Sequence, residues 1–240
     1  MPLTAYKVWA VGSPVGIGVT QAINVGLAAI AKKATPTDPY IVSNETICNQ
    51  IAQILLLPCP PGSLLFRAGE QYFTSLNFNI GDLTLPPADP GVIVDLHVEL
   101  SWGIILFDVL CMNADRHTGN ISHDQSTNDL QIFDHSHAFV GTRGNVSDTI
   151  LARVDDLSIG RHCLAREISK VDGFDMWCDR IKAIPDFFIK GVVDNACGLG
   201  IPASSVDECA NALIKRRDRI EVLVKDNLSS FPMLPSGAMS

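Results

Sequence analysis

Two stretches decide how this chain reads: Cys111-Met112-Asn113-Ala114-Asp115-Arg116-His117-Thr118-Gly119-Asn120-Ile121, and Leu130-Gln131-Ile132-Phe133-Asp134-His135-Ser136-His137-Ala138-Phe139. In the first, an apolar run stops at Met112 and gives way to Asn113, Asp115, Arg116, His117 and Asn120. In the second, a short apolar segment delivers Asp134 and His135. Two carboxylates and an asparagine thus stand at the ends of two apolar elements that must pack near each other. Oxygen ligands on rigid neighbours suit a hard cation, and a separate carboxylate suits proton transfer. A plain polar turn would account for Asp115–Asn120, but not for a second aspartate closing the next apolar segment.

Composition bounds the possibilities. At 240 residues, 47% hydrophobic and 18% charged, the chain is globular and has enough length for a substantial core. The net charge of −8 argues against nucleic acid as the main partner, because a phosphate backbone needs a basic face. The most hydrophobic window, Val92–Met112, contains Asp95, His97, Glu99 and Asp108, so it reads as a buried helix and not as a membrane span. Seven scattered cysteines without a Cys-x-x-Cys pair and no evident signal peptide lead us to expect reduced thiols in a cytoplasmic protein.

Working outward, glycines and Pro14 divide residues 5–33 into expected strands at Tyr6–Val11, Val15–Gln21 and Val25–Lys32. The connection Gly12-Ser13-Pro14-Val15-Gly16-Ile17-Gly18 is small-residue and glycine-rich, either a phosphate-covering loop or an ordinary hairpin connection. Lys32 and Lys33 end the third strand. A helix is expected over 43–56, capped by Ser43 or Asn44, with Glu45 in its first turn and Pro58, Pro60 and Pro61 beyond it. A hairpin is expected around Ala68-Gly69-Glu70, and a polar connector over 77–91. Then come a central apolar helix from Val98 to Cys111 and helices over 149–157, 161–170, 173–183, 185–198 and 205–228. The last opens on a capping-box pattern, Ser205 to Glu208, and its Lys215–Arg219 cluster reads as a solvated face. The tail from Phe231 reads as frayed. The expected class is therefore α+β and two-lobed: a small β-rich lobe at 1–90, a larger helical lobe at 91–230 and a tail at 231–240.

Asp115, Asn120 and Asp134 together suit phosphoryl transfer, which needs cation ligands for the phosphates and a group to orient the nucleophile. Asn113-Ala-Asp115-Arg-His117-Thr-Gly-Asn120-Ile followed by Ile132-Phe-Asp134-His135 resembles the catalytic and metal-binding loops of the HipA-like kinases. These are bacterial enzymes of protein-kinase-like fold, distantly related to phosphatidylinositol kinases. Gly12-Ser13-Pro14, the Lys32-Lys33 strand end, Asn44-Glu45 and Leu57-Pro58-Cys59-Pro60-Pro61 follow the same pattern, as do Phe107-Asp108 and the closing helices, so the likeness covers most of residues 8–225. By that resemblance Asp115 would be the catalytic base, with His117 bracing its loop, and Asn120 and Asp134 would hold magnesium. Lys32 or Lys33 would contact the ATP phosphates and pair with Glu45. Gly12, Ser13, Gly16 and Gly18 would cover those phosphates. The implied partners are ATP, Mg2+ and a hydroxyl acceptor, protein serine or threonine first. His135 stands where the family has a glycine after its metal-binding aspartate. Two rival readings are a His/Asp metal hydrolase using Asp115, His117, His123, His135 and His137, and a kinase-like module that binds nucleotide or a partner without turnover.

Overall fold

A computed structural model describes residues 5–16, 22–79 and 87–239. Strands β1 (Val8–Pro14) and β2 (Ile23–Leu27) form an antiparallel hairpin, and β3 (Ala29–Lys33) leaves it for a second sheet of order β3-β5-β4. Helix α1 (Ile41–Ile54) follows β3 in sequence, and then come β4 (Gly62–Arg67) and β5 (Glu70–Leu76), which complete the second sheet. The single strand expected over Val25–Lys32 is thus two strands. The break is at Ala28, whose N–H goes to the Lys7 carbonyl while its own carbonyl accepts from Asn77 N–H. The backbone changes sheets there, a switch that side-chain alternation does not reveal. The expected strand at Val15–Gln21 does not form at Val15 and Gly16, which follow the end of β1, and residues 17–21 are outside the described residues.

Helix α1 starts at Ile41, earlier than expected, with Tyr40 at its N-cap and no side-chain cap. Ser43 and Asn44 are inside the helix and buried. Ser43 Oγ donates to the Tyr40 carbonyl, and Asn44 Nδ2 donates to the Ser136 and Gly141 carbonyls. These polar residues tie α1 to the segment after Asp134, so tertiary contacts override their capping preference. Glu45 lies beyond the first turn, and the helix dipole is not what holds it. The hairpin around Ala68-Gly69 forms as expected, with Arg67 opposite Glu70.

Beyond the connector, α2 (Pro90–Leu96) begins with Asp89 accepting from Gly91 and Val92 N–H and with Pro90 in the first turn, a favourable start. The central helix α3 (Val98–Leu110) is buried over Leu100–Leu110. At Gly103 a Cβ would stand 2.4 Å from the Trp177 ring, so glycine is what lets helix α5 (Phe174–Lys182) approach. A left-handed Met112 (φ 53°) ends α3, and Asn113 N–H reaches back to the Asp108 carbonyl. The hairpin β6 (Ile121–Asp124) and β7 (Asp129–Ile132) follows, then α4 (Val146–Arg153), α6 (Asp186–Asn195) and α7 (Val206–Lys225). None of the helices among the described residues is long and apolar enough to cross a membrane.

Four expectations are corrected here. Residues 161–170 form turns, not a helix, because His162 points into the core and Cys163 N–H is taken by the Arg116 carbonyl. Ser205 makes no side-chain cap, since a 3-10 turn, Ala203–Ser205, leads directly into α7. The basic cluster on α7 is not uniformly solvated. Lys215 and Arg219 reach exposed Asp155, but Arg216 is fully buried and donates to the carbonyls of Val109, Arg153, Val154, Asp156 and Leu157. It thereby satisfies carbonyls at the ends of α3 and α4, which lack partners within their helices; burial, with Arg153 nearby, lowers its pKa to about 10. The tail is anchored, not frayed, because Phe231 is buried against Trp102 with ring centroids 5.5 Å apart.

Candidate active site

A cavity of about 670 Å³ opens between the β3-β5 sheet and the two quoted loops. Ile30, Phe73, Phe78, Ile121 and Phe133 give it apolar walls, and Phe78 and Phe133 lie with ring centroids 5.6 Å apart. Lys32, Glu45 and Asp134 form its polar end, and His117, Thr118 and Gly119 line it from the first quoted stretch.

The alternation of β3 separates the two lysines. Lys32 Nζ is 2.6 Å from Glu45 Oε1 and 2.7 Å from Asp134 Oδ1, with Ser136 Oγ at 3.3 Å. Lys33 points to the opposite face and pairs with Glu70 at 2.8 Å, away from Glu45 and Asp134. Glu45 is buried and accepts from Lys32, from Ser136 Oγ and from His135 N–H. Burial alone would raise its pKa, but the His135 and Lys32 interactions outweigh burial and hold it at about 2. Burial likewise works against the charged forms of Lys32 and Asp134. Their pairing prevails, with Lys32 shifted up and Asp134 shifted down.

The sign of the Glu45 shift gives a prediction. A carboxyl depressed from its ordinary 4.5 contributes stability above about pH 4.5 and loses it as the pH falls through about 2. The full contribution is about 3 kcal/mol, at roughly 1.4 kcal/mol per pH unit. Urea midpoints measured between pH 6 and 2.5 are expected to fall more steeply for the native protein than for Glu45→Gln. Parallel curves would show that the carboxylate carries no such linkage.

The loop before Asn120 is held from beneath. Asp108, fully buried on α3, takes Arg116 through both oxygens (2.8 and 3.0 Å), Asn113 Nδ2 at 2.7 Å and His162 Nε2 at 3.0 Å. Burial opposes the charged form of each, but the pairing dominates and shifts Asp108 down and Arg116 up. Arg116 Nη1 then donates to the carbonyls of Asn120 and Phe133, joining both quoted stretches. A lone aspartate inside an otherwise apolar helix is the sequence signal for a buried cationic partner at this point. Nothing local marks Ser136 and His162, or the packing role of Asn44, since their partners are 54 to 104 residues away.

Asp115 is half-exposed, with its N–H on Asn113 Oδ1 and its carbonyl accepting from Asn120 Nδ2. Asn120 therefore uses its amide nitrogen internally, through the Asp115 carbonyl. His117 Nδ1 accepts from Gly119 N–H. Asp134 holds a left-handed φ of 60°, a strained value for a non-glycine residue. Asn120 and Asp134 are hard oxygen donors, and their chemistry fits magnesium. Gly12, Ser13 and Gly16 sit on or beside the β1–β2 hairpin, with Asn24 Nδ2 donating to the Ser13 carbonyl, and are not among the described cavity walls; Gly18 lies outside the described residues. The histidines of the rival metal site diverge. His135 is buried edge-on to Phe107, His123 faces Asn128 and His137 faces Asp115, and no group of three or more metal-ligating residues occurs among the described residues.

Compared with solved structures, this chain superposes on a Helicobacter pylori proinflammatory kinase, CtkA, with a TM-score of 0.60 at 14% identity, over 92% of this chain and 96% of that one. The chain shares its fold with that kinase. A Shewanella oneidensis HipA, from a complex with HipB and operator DNA, is also similar at 13% identity, with 85% of this chain and 62% of that chain covered and a TM-score of 0.47. No protein-family model matches the sequence, and no curated protein matches it at significance.

Proposed function

We propose that this protein is an ATP- and magnesium-dependent kinase that transfers the γ-phosphoryl group to a hydroxyl, with protein serine or threonine as the first acceptor to test. The observation that carries the reading is Lys32, bridging buried Glu45 and half-exposed Asp134 at the polar end of an apolar-walled cavity. A cation held there by two carboxylates is placed to meet phosphate charge, while the apolar walls suit a purine. Asn120 and Asp134 would hold magnesium, which supplies charge neutralisation of the phosphates when bound. Gly12, Ser13 and Gly16 would cover the phosphates from the hairpin, and the lobe division would fall near residue 90.

In the transfer, the acceptor oxygen bonds the γ-phosphorus as the bond to the bridging oxygen breaks and its electron pair leaves with ADP. Asp115 accepts the hydroxyl proton. Arg116 and His117 keep the loop in shape, through the buried Asp108 pair and the Gly119 N–H respectively. The unpaired cysteines fit a reducing compartment, and we place the protein in the cytoplasm.

The test is magnesium-ATP binding by thermal shift together with ADP release. Lys32→Met is expected to weaken nucleotide binding by at least about tenfold, an ion-pair-scale loss, whereas Lys33→Met leaves it unchanged. Equal behaviour of the two variants would overturn the assignment. Stabilisation by nucleotide without any turnover would favour the non-enzymatic module.

A further inference from the structure

His137 has no part in the reaction as described, yet it makes the contact that matters most to Asp115. Its Nδ1 is 3.2 Å from Asp115 Oδ2. The other polar contacts of Asp115 use its backbone, so among the described residues His137 is the protein group found against this carboxylate. An aspartate that is 47% exposed and fixed only through its main chain is free to rotate about χ1 and χ2. A proton acceptor with that freedom spends part of its time turned away from the acceptor hydroxyl.

The imidazole is itself constrained. On its far side Nε2 is 3.9 Å from Asp38 Oδ1, beyond hydrogen-bond length but within charge-pairing range. Asp38 is fixed in turn: its Oδ2 accepts from Thr37 Oγ1 at 2.8 Å, and its N–H goes to Thr35 Oγ1 at 3.0 Å. His137 also follows Ser136, whose hydroxyl and carbonyl are both held by α1. The order is therefore a carboxylate set in a turn, an imidazole and the Asp115 carboxylate, so the imidazole lies between two negative groups.

We propose that His137 is a positioning residue for the transfer reaction, its Nδ1 pairing with Asp115 Oδ2 at 3.2 Å so that the other carboxylate oxygen faces the acceptor hydroxyl. This rests on the kinase reading above. His137 does not touch the nucleotide cavity, so the role predicts a loss confined to turnover.

ADP release from magnesium-ATP, with the full chain, gives the test. His137→Ala is expected to lower kcat by about ten- to a hundredfold, the cost of a misplaced reacting group, with KM for ATP and the nucleotide thermal shift unchanged. His137→Asn keeps an N–H near the Nδ1 position and is expected to recover to within a few-fold of the native rate. His137→Gln carries its donor one bond further out and is expected to stay low. Wild-type kcat in His137→Ala, or an asparagine variant as slow as the alanine one, would overturn the proposal. If the native protein releases no ADP from magnesium-ATP, the kinase reading is what fails. The contact is then still read directly: nitrogen-15 NMR of labelled histidine is expected to show His137 protonated at Nδ1, with its signals shifted by Asp115→Asn. Signals unmoved by that change would remove the contact itself.

Discussion

Asp115→Asn is expected to lower magnesium-ATP turnover by about 10²–10⁴-fold, the usual contribution of a positioned proton acceptor, while leaving nucleotide binding at its native level. The separation follows from where the residue sits. Asp115 faces His137 and is not among the described cavity walls, whereas Lys32, Glu45 and Asp134 are. Its structural bonds run through backbone atoms: its N–H to Asn113 Oδ1, and its carbonyl to Asn120 Nδ2. Asparagine keeps both, and it matches the carboxylate in size. What it loses is the ability to take the acceptor proton. ADP release and magnesium-ATP thermal shift on the same preparations check the two halves. Native turnover in Asp115→Asn would remove the base assignment and leave the fold untouched.

The second large effect is on stability. Asp108→Ala strands the fully buried Arg116 without its carboxylate, and Asn113 and His162 lose an acceptor as well. Breaking a buried pair by removing one member costs about 3–5 kcal/mol. In a chain of this size that lowers Tm by on the order of 10 °C. The double variant Asp108→Leu with Arg116→Met is expected to recover much of that loss, because it leaves no unpaired buried charge. It is not expected to recover turnover, since the Arg116 bonds to the Asn120 and Phe133 carbonyls are gone. A double variant no more stable than Asp108→Ala would show that the desolvated charge is not the source of the loss.

Local signals in the sequence were good where one element carries them. The central helix from Val98 was legible because its residues are apolar on every side, and the hairpin around Ala68-Gly69 because both strands flank a turn. The α+β character, with strands preceding helices, followed from the same periodicities. Boundaries failed where tertiary contacts outbid local preference, as at Ser43 and Asn44, whose side chains serve α1 packing and do not cap it. Residues 161–170 failed for the same reason, drawn into turns by His162 and Cys163.

For the site, the sequence by itself determined which chemical groups are present: two carboxylates, an asparagine and a pair of lysines, at spacings that one loop and one strand end can present. It did not determine which lysine faces inward. That depends on the register of β3 against β5, where Lys32 lies opposite Phe73 and Lys33 opposite Tyr72. A shift of one residue would exchange their faces. Nor did it show that Arg216 and Arg217 are buried, because five basic or acidic residues in a row look the same whether or not distant carbonyls wait for them. The Asp108–Arg116 pair under the loop and the His137 contact beside Asp115 were decided in the same way. Charge and hydrogen-bonding capacity are written in the residue types, but partners are chosen by the fold, and a partner's distance in sequence carries no local trace.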